Sequence, residues 1–188
     1  MMVDLQTGLT IPDSWVALLK QLQKTDPSAV IAGGAIRDLI CMRRPIKDID
    51  FFVKKPNAIF DQWISELSPN HNEYQGSNPY VRDILYYPNA APLPINVVVG
   101  EGYESAYQLI ETFDFGLCQV AFDGRRIIKS WAFDWDHRHY QMTMRPGPRQ
   151  TNRVQTSMAR FERWKEKYPD FTLAIEEPPQ ETKSGGWL

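Results

Sequence analysis

The stretch "AVIAGGAIRDLICMRRPIKDIDFFV", residues 29–53, decides the fold of this chain. An apolar run ends at two glycines, a short segment of helical character follows, and "DIDFFV" opens a second apolar run. Short apolar runs bounded by turn residues are typical of buried strands. We therefore predict a strand, a Gly-Gly turn, a short helix and a second strand that begins at two acids.

The two acids, Asp48 and Asp50, lie one residue apart at the start of the second strand. Because side chains alternate along a strand, both acids point to one face while Ile49 points into the core. Two carboxylates so close repel each other, and a hard divalent cation is a natural compensation, since Mg²⁺ prefers oxygen ligands. The alternative is a solvated strand start, in which the acids pair with Lys47 or with the two arginines before it.

The two glycines, Gly33 and Gly34, lie between a strand and the start of a helix. Glycine adopts positive φ and lets the backbone approach a ligand closely. The start of a helix offers free N–H groups and a partial positive charge to phosphate. We predict a phosphate cradle at this turn, with Arg37 and Lys47 as candidates to neutralise phosphate charge. The alternative for both cations is an ion pair with Asp38 or another local acid.

The combination resembles the core pattern of the DNA-polymerase-β-like nucleotidyltransferases. In that pattern an apolar strand and two glycines precede an acid–apolar–acid triplet, and the gap here is thirteen residues. The sequence of this stretch resembles even more closely the head domain of bacterial-type CCA-adding enzymes and poly(A) polymerases, whose motif is GGAxRDxLLGRxxKDIDxxT. The chain departs from that motif at "ICMR", residues 40–43.

A second stretch carries the same resemblance further along the chain. The related enzymes contain RRDFTINAxAYD, and "TFDFGLCQVAFDG" keeps its Asp114 and Phe115. Thr112 and Phe113 stand where those enzymes have paired arginines. The resemblance extends over residues 28–130.

The resemblance implies an enzyme that binds a nucleoside triphosphate and works by a two-metal mechanism. Asp48 and Asp50 would hold Mg²⁺ or Mn²⁺ and act as catalytic residues. The nucleotide-binding residues that it implies are Gly33, Gly34, Arg37 and Lys47. The chain length is similar to that of short stand-alone nucleotidyltransferases encoded by bacteriophages, so we expect a phage protein that acts in the host cytoplasm.

The third carboxylate of the superfamily comes from a neighbouring strand, in an apolar–acid–apolar setting. The matching strand is "PINVVVG", residues 94–100, and it holds Asn96 at that position. We include Asn96 among the catalytic residues, and Asp83 is the alternative third acid. Either the two acids and Asn96 suffice, or the site has decayed into a nucleotide-binding or partner-binding module. The intact acid pair favours activity.

The order of apolar and polar stretches predicts an α/β (α+β) fold, with a small mixed sheet of about five strands flanked by helices. We predict a nucleotidyltransferase head over residues 1–130 and a basic helical extension with a loose tail over 131–188. Within the head, helices are expected over residues 11–24 and 57–67, and a polar loop over 68–79. A hairpin is expected across the "DG" turn.

The C-terminal region is basic in a chain of net charge −2. From Asp136 to Lys167 there are eight Lys or Arg and three Asp or Glu, a local balance of 8 − 3 = +5. "TNRVQTSMARFERWKEKY" predicts a helix with a cationic side that could follow an RNA backbone. The alternative is a solvated charged face, partly paired with glutamates of the same helix. The candidate RNA-binding residues are Arg153, Arg160, Arg163 and Lys167.

Other features exclude several classes of protein. No apolar run approaches the roughly 18 residues of a membrane span, and the N-terminus is unlike a signal peptide, so we expect a cytoplasmic protein without a membrane partner. We expect Cys41 and Cys118 to be small buried hydrophobes rather than a disulfide. His137 and His139 are weak metal-site candidates, because no further ligand lies near them in sequence.

Taken together, these patterns predict transfer of a nucleoside monophosphate from NTP to an RNA 3′ hydroxyl, with tRNA as a candidate acceptor. One alternative is transfer to a protein hydroxyl. The other is a degenerate nucleotidyltransferase fold that binds a partner.

Overall fold

The computed structural model describes residues 2–3, 8–54, 70–72, 80–88, 93–145 and 154–176. Its helices are α1 (Asp13–Gln23), α2 (Gly34–Ile40), α3 (Ala106–Glu111), α4 (Trp131–His139) and α5 (Val154–Trp164), with a 3₁₀ turn at Gly116–Cys118. The first strands are β1 (Met2–Val3), β2 (Thr10–Ile11), β3 (Val30–Ala32), β4 (Ile49–Val53), β5 (Asn70–Asn72) and β6 (Val81–Tyr87). The others are β7 (Ile95–Gly100), β8 (Val120–Phe122), β9 (Ile127–Lys129), β10 (Gln141–Met144) and β11 (Thr172–Ile175).

The central sheet is mixed, as predicted, in the order β5-β6-β7-β4-β3-β8-β9. Strands β4 and β7 are parallel, and the other neighbours are antiparallel. It has seven strands where about five were expected, and one of them, β5 at one edge, was not predicted as a strand. Strand β5 lies in the stretch predicted as a polar loop, where it pairs with β6. The predicted helix over residues 57–67 lies outside the described residues.

The sheet buries both faces. Alternation along β4 directs Ile49 and Phe51 into the larger apolar cluster, which also contains the inner faces of α1 and α2. Phe52 points to the opposite face, where it packs with Val98 and with Leu109 of α3. The strand is therefore held from both sides, which fixes the direction of the polar side chains at its N-terminal end.

The hairpin across Asp123 and Gly124 is present as β8 and β9. The strand predicted before it is shorter, because Gly116–Cys118 forms a 3₁₀ turn. Asp136 packs against that turn: a Cβ added to Gly116 would lie 2.6 Å from the Asp136 Oδ2 atom, so a larger residue would not fit there without a shift.

The chain after residue 130 packs into the same hydrophobic cluster as the head. Its buried members include Phe133, Met142, Phe161 and Phe171. Strands β10 and β11 form a parallel pair, a feature that the sequence did not predict. A boundary at residue 130 stays a prediction, while the packing shows one shared core across it.

A buried network joins α2 to the end of α5. The Arg37 Nε atom donates to Asp38 Oδ1 and to the Tyr168 hydroxyl, each over 2.9 Å. The Tyr168 hydroxyl donates to Asp38, and Lys167 forms an ion pair with the same carboxylate. The guanidinium of Arg37 also lies 4.4 Å from the centroid of the Trp164 ring. A buried charge is tolerated only when its partners satisfy it, so these contacts fix the two elements together.

Both cysteines are free, as expected. Burial raises the pKa of the Cys118 thiol, and it raises the pKa of Cys41 to about 12. Neither thiol is therefore an activated nucleophile. Within the described part of the chain, every helix is too short or too polar to span a bilayer.

Tyr168→Phe tests the buried network. The change removes a hydroxyl that accepts from Arg37 and donates to Asp38, and it leaves both charges short of a partner. We expect the free energy of unfolding to fall by about 1–3 kcal/mol, measured by urea denaturation. Tyr107→Phe, at an exposed tyrosine of α3, is the matched control and should change stability by much less. Equal effects of the two substitutions would contradict the network's role.

Candidate active site

The two acids and Asn96 meet at one end of β4 and β7. Asp48 directly precedes β4, and Asp50 is its second residue. In the parallel register of these strands Asp50 lies beside Asn96. The Asn96 Nδ2 atom donates to Asp50 Oδ1 over 2.8 Å and to Asp48 Oδ2 over 3.3 Å. One amide group therefore links both carboxylates.

The local sequence explains this placement. Ile49 is fully buried, so alternation directs its two acidic neighbours to the opposite face. The register also decides between the two candidates for the third position. Asp83 pairs with Val99, three residues further along β7 than Asn96 and therefore roughly 10 Å away along the strand. Asp83 is not part of this constellation.

The acid pair is electrostatically strained. Burial, and then the charge of Asp48, raise the pKa of Asp50 to about 6. The Asn96 hydrogen bond, followed by the charges of Arg160 and Arg37, lowers that pKa without cancelling the rise. Asp50 therefore resists ionisation, first because it is buried and second because Asp48 is close, and a bound cation would favour its ionised form.

The Gly-Gly turn follows β3 and lies at the same end of the central strands as the acid pair, because β3 runs antiparallel to β4. Gly33 has φ of +75°, a region that favours glycine, and a Cβ there would lie 3.4 Å from the Phe113 ring. Its N–H donates to Val120 O over 2.9 Å. A phosphate contact from this turn would therefore come from Gly34 and from the amides in the first turn of α2.

The two cations predicted to contact phosphate differ in their surroundings. Arg37 is buried and forms an ion pair with Asp38, which the sequence offered as the alternative to a phosphate contact. Its Nη2 atom still passes close to the turn, since a Cβ on Gly34 would lie 3.8 Å from it. Lys47 is exposed immediately before Asp48. Phosphate contacts by either residue stay a prediction.

The basic residues of the C-terminal region are divided in the structure. Arg160 donates to both carboxylate oxygens of Asp114, over 2.7 and 3.0 Å. Lys167 is tied to Asp38. Arg163 is exposed, and Arg153 lies outside the described residues.

Two of the four predicted RNA contacts therefore form ion pairs within the fold. The alternative, a solvated face whose cations pair with acids of the same helix, is present in part, because Lys165 lies 2.7 Å from Glu162.

His139, one of the two histidines considered as metal ligands, has its Nδ1 atom 2.8 Å from the Trp135 carbonyl. In the ranges that the structure describes, no group of three His, Cys, Asp or Glu side chains could hold a metal ion. A cation at the acid pair would depend on the two carboxylates, because Asn96 turns its N–H group towards them.

One family model matches residues 10–136, well over half of the chain. The chain belongs to the Gabija anti-defense 2 family. No functionally curated protein matches it.

Several solved structures share the fold of this family member. One is a tRNA-processing enzyme in an apo form, with a TM-score of 0.62 and 15% identity over 88% of this chain and 45% of that one. The Thermotoga maritima CCA-adding enzyme complexed with tRNA has a TM-score of 0.62 and 16% identity, over 94% and 44% of the two chains. The Bacillus stearothermophilus CCA-adding enzyme in complex with CTP has a TM-score of 0.59 and 19% identity, over 88% and 42%.

The likeness establishes the nucleotidyltransferase fold that the motifs predicted. At such identities it shows the fold alone. The chain spans less than half the length of these three enzymes.

Sequence reasoning missed two features of the site. It placed Asn96 at the position of the third acid among the catalytic residues, whereas the N–H group of Asn96 faces both acids and holds them. It also placed Arg160 on an outer RNA-binding face, whereas Asp114 holds its guanidinium close enough to influence Asp50. Asp114 could have indicated this contact from the sequence. The chain keeps this acid of the motif but lacks the paired arginines that precede it in the related enzymes, so its cationic partner had to come from elsewhere in the chain.

Asp50→Asn should stabilise the metal-free protein. The folded pKa of Asp50, about 6, exceeds the ordinary 3.8, so its contribution to stability falls as pH rises through that window. We expect the variant to be about 1–3 kcal/mol more stable than wild type near neutral pH. The difference should shrink towards about pH 4. Urea denaturation with a chelator measures both, and a variant that is less stable at each pH would contradict the assignment.

Arg160→Met should raise the pKa of Asp50, because the charge of Arg160 lowers that pKa. Carboxyl-carbon NMR titration of metal-free protein reports the change directly. Arg163→Met is the matched control, since Arg163 is an exposed cation on the same helix. If Asp50 titrates identically in both variants, Arg160 has no electrostatic role at the site.

Proposed function

We propose that the protein transfers a nucleoside monophosphate from NTP to an RNA 3′ hydroxyl, with tRNA as a candidate acceptor. The observation that carries the proposal is the constellation of Asp48, Asp50 and Asn96, set at one edge of a nucleotidyltransferase fold. Two structural neighbours are complexes with tRNA and with CTP, which supports the same classes of ligand.

The donor set fits a divalent cation, Mg²⁺ or Mn²⁺. Asp48 and Asp50 would hold it, because they supply two carboxylates on one face of β4 and the raised pKa of Asp50 marks an incompletely neutralised pair. Such ions prefer oxygen ligands and are commonly shared with substrate phosphates. When bound, the metal lowers the pKa of an attacking hydroxyl and stabilises the leaving pyrophosphate.

Asn96 is a positioning residue in this proposal. Its N–H group holds both carboxylates at once, which limits their rotation before substrate arrives. Because the amide is neutral, a site made of Asp48, Asp50 and Asn96 carries less negative charge than a site with three carboxylates. The triphosphate would then supply the missing anionic oxygens.

The nucleotide phosphates would lie between the acid pair and the Gly-Gly turn. Gly34 and the first turn of α2 offer backbone N–H groups to them. Lys47 is an exposed cation beside the acid pair, and the buried Arg37 adds positive charge close to the turn.

The activity should depend on pH. Because Asp50 must be ionised to hold a cation, activity should rise as pH increases through about 6.

A second candidate function is partner binding by an inactive fold. The description of the family as anti-defense favours it, and so does an asparagine at the third acid position. The same description supports a phage protein that acts in the host cytoplasm. Transfer to a protein hydroxyl is the other enzymatic alternative, and one assay separates all three.

The assay incubates the protein with Mg²⁺ and each labelled NTP in turn, with either total RNA or lysate as the acceptor source. We expect label on RNA, and a loss of about 100-fold or more on changing Asp48 or Asp50 to Asn, because each variant removes a metal ligand. Asp83→Asn is the matched control, since Asp83 lies on the same sheet but away from the pair. Label on protein would contradict the RNA acceptor, and label on neither would favour the binding module.

A further inference from the structure

An aromatic stripe lies on the outer face of α4. Trp131, Trp135 and His139 are spaced by four residues and so share one side of the helix. The two tryptophans are 60% and 50% exposed, and Tyr140, which follows the helix, is 57% exposed. Large aromatic side chains are usually well buried, and nothing in the proposed catalytic chemistry uses these rings.

Each tryptophan of the stripe is held in place from one side. The Arg145 guanidinium lies 4.5 Å from the centroid of the Trp131 ring. The His139 ring stacks on Trp135 with centroids 4.0 Å apart. One face of each indole is therefore supported, while much of the ring meets solvent. Rings fixed in this way lose little conformational entropy when a flat ligand stacks on them.

Neighbouring residues lead from the stripe to the Gly-Gly turn of the candidate active site. The Arg145 N–H donates to Asp114 O over 2.8 Å. Phe113, the residue before Asp114, lies against that turn, since a Cβ on Gly33 would be 3.4 Å from its ring. These contacts therefore link the stripe to the turn where the proposed phosphates would lie.

The charges around the stripe are largely balanced. Asp134 pairs with Lys129 over 2.7 Å, and Arg145 pairs with Glu176 over 2.9 Å. Arg138 is an exposed cation of the same helix. The other acid of α4, Asp136, is fully buried and accepts hydrogen bonds from Thr143, so neither acid of the helix presents a free charge to a phosphate backbone. Stacked aromatic rings beside cations are typical of surfaces that bind single-stranded nucleic acid.

We propose that Trp131 and Trp135 form a stacking platform for unpaired bases of the acceptor RNA. The inference rests on the proposed function, because it names where the acceptor strand of that reaction lies. It also moves the predicted RNA contact away from α5 and the residues that follow it, where Arg160 and Lys167 are engaged within the fold.

A protein partner is the competing occupant, because tryptophans are also enriched in protein interfaces. The contacts that link Trp131 to the Gly-Gly turn favour the RNA strand, because the reacting end of that strand must reach the candidate active site. Protein docking predicts that removal of the rings leaves RNA affinity unchanged.

Fluorescence anisotropy tests the platform without requiring catalysis. The full chain is titrated, with a chelator and no NTP, into labelled single-stranded RNA of roughly twelve nucleotides. We expect Trp131→Ala with Trp135→Ala to weaken binding about tenfold or more, because a stacked base contributes about 1–3 kcal/mol. Tyr107→Ala, at an aromatic residue 41% exposed on α3, is the matched control and should bind like wild type.

Two further measurements separate stacking from a general loss of structure or charge. Trp131→Phe with Trp135→Phe should restore most of the affinity, because phenylalanine also stacks. The dependence of affinity on salt should be the same in the alanine variant and wild type, because the lost contacts are not ionic.

The platform would be overturned if the double alanine variant binds single-stranded RNA as tightly as wild type. Tighter wild-type binding to duplex RNA would overturn it as well. If the double alanine variant binds RNA as tightly as wild type while wild type still transfers label to RNA, the platform is contradicted and the proposed function is not. If no label is transferred while the rings still govern affinity, the proposed catalysis fails instead.

Discussion

The buried contact between Arg37 and Asp38 is the interaction on which the rest of the structure depends. It joins α2, which begins at the Gly-Gly turn, to Tyr168 and Lys167 beyond the end of α5. Fixing α2 fixes the turn, and fixing α5 places Arg160 against Asp114 near the acid pair. A motif that looks local in sequence therefore acts as the tie between the head and the C-terminal region.

The acid pair is the opposite case, an arrangement that costs stability. Asp48 and Asp50 are held together beside one amide, and the raised pKa of Asp50 reflects the free energy stored there. Buried apolar side chains on both faces of β4 keep the strand from moving to a position where Asp50 would be better solvated and farther from Asp48. Such local conflict between sequence and stability is characteristic of functional sites, and a cation would relieve it.

The sequence predicted the parts of the fold that depend on short-range pattern. Alternation in "DIDFFV" placed Asp50 on the polar face, and the motif spacing gave the Gly-Gly turn. Contacts between distant segments were not predictable, because no local pattern records them. The pairing of β10 with β11 joins residues 141–144 to 172–175, and the bond from Arg160 to Asp114 joins residues 46 apart. The orientation of the Asn96 amide likewise depends on both carboxylates being present.

Calorimetric titration of Mn²⁺ into the protein near pH 6, in two buffers of different ionisation enthalpy, tests the central claim most directly. Asp50 has a pKa of about 6 in the free protein, so a cation bound by the pair must displace protons from it. The account predicts saturable binding with proton release, and loss of both in Asp48→Asn and Asp50→Asn. Binding without proton release, or binding that survives both substitutions, would contradict it.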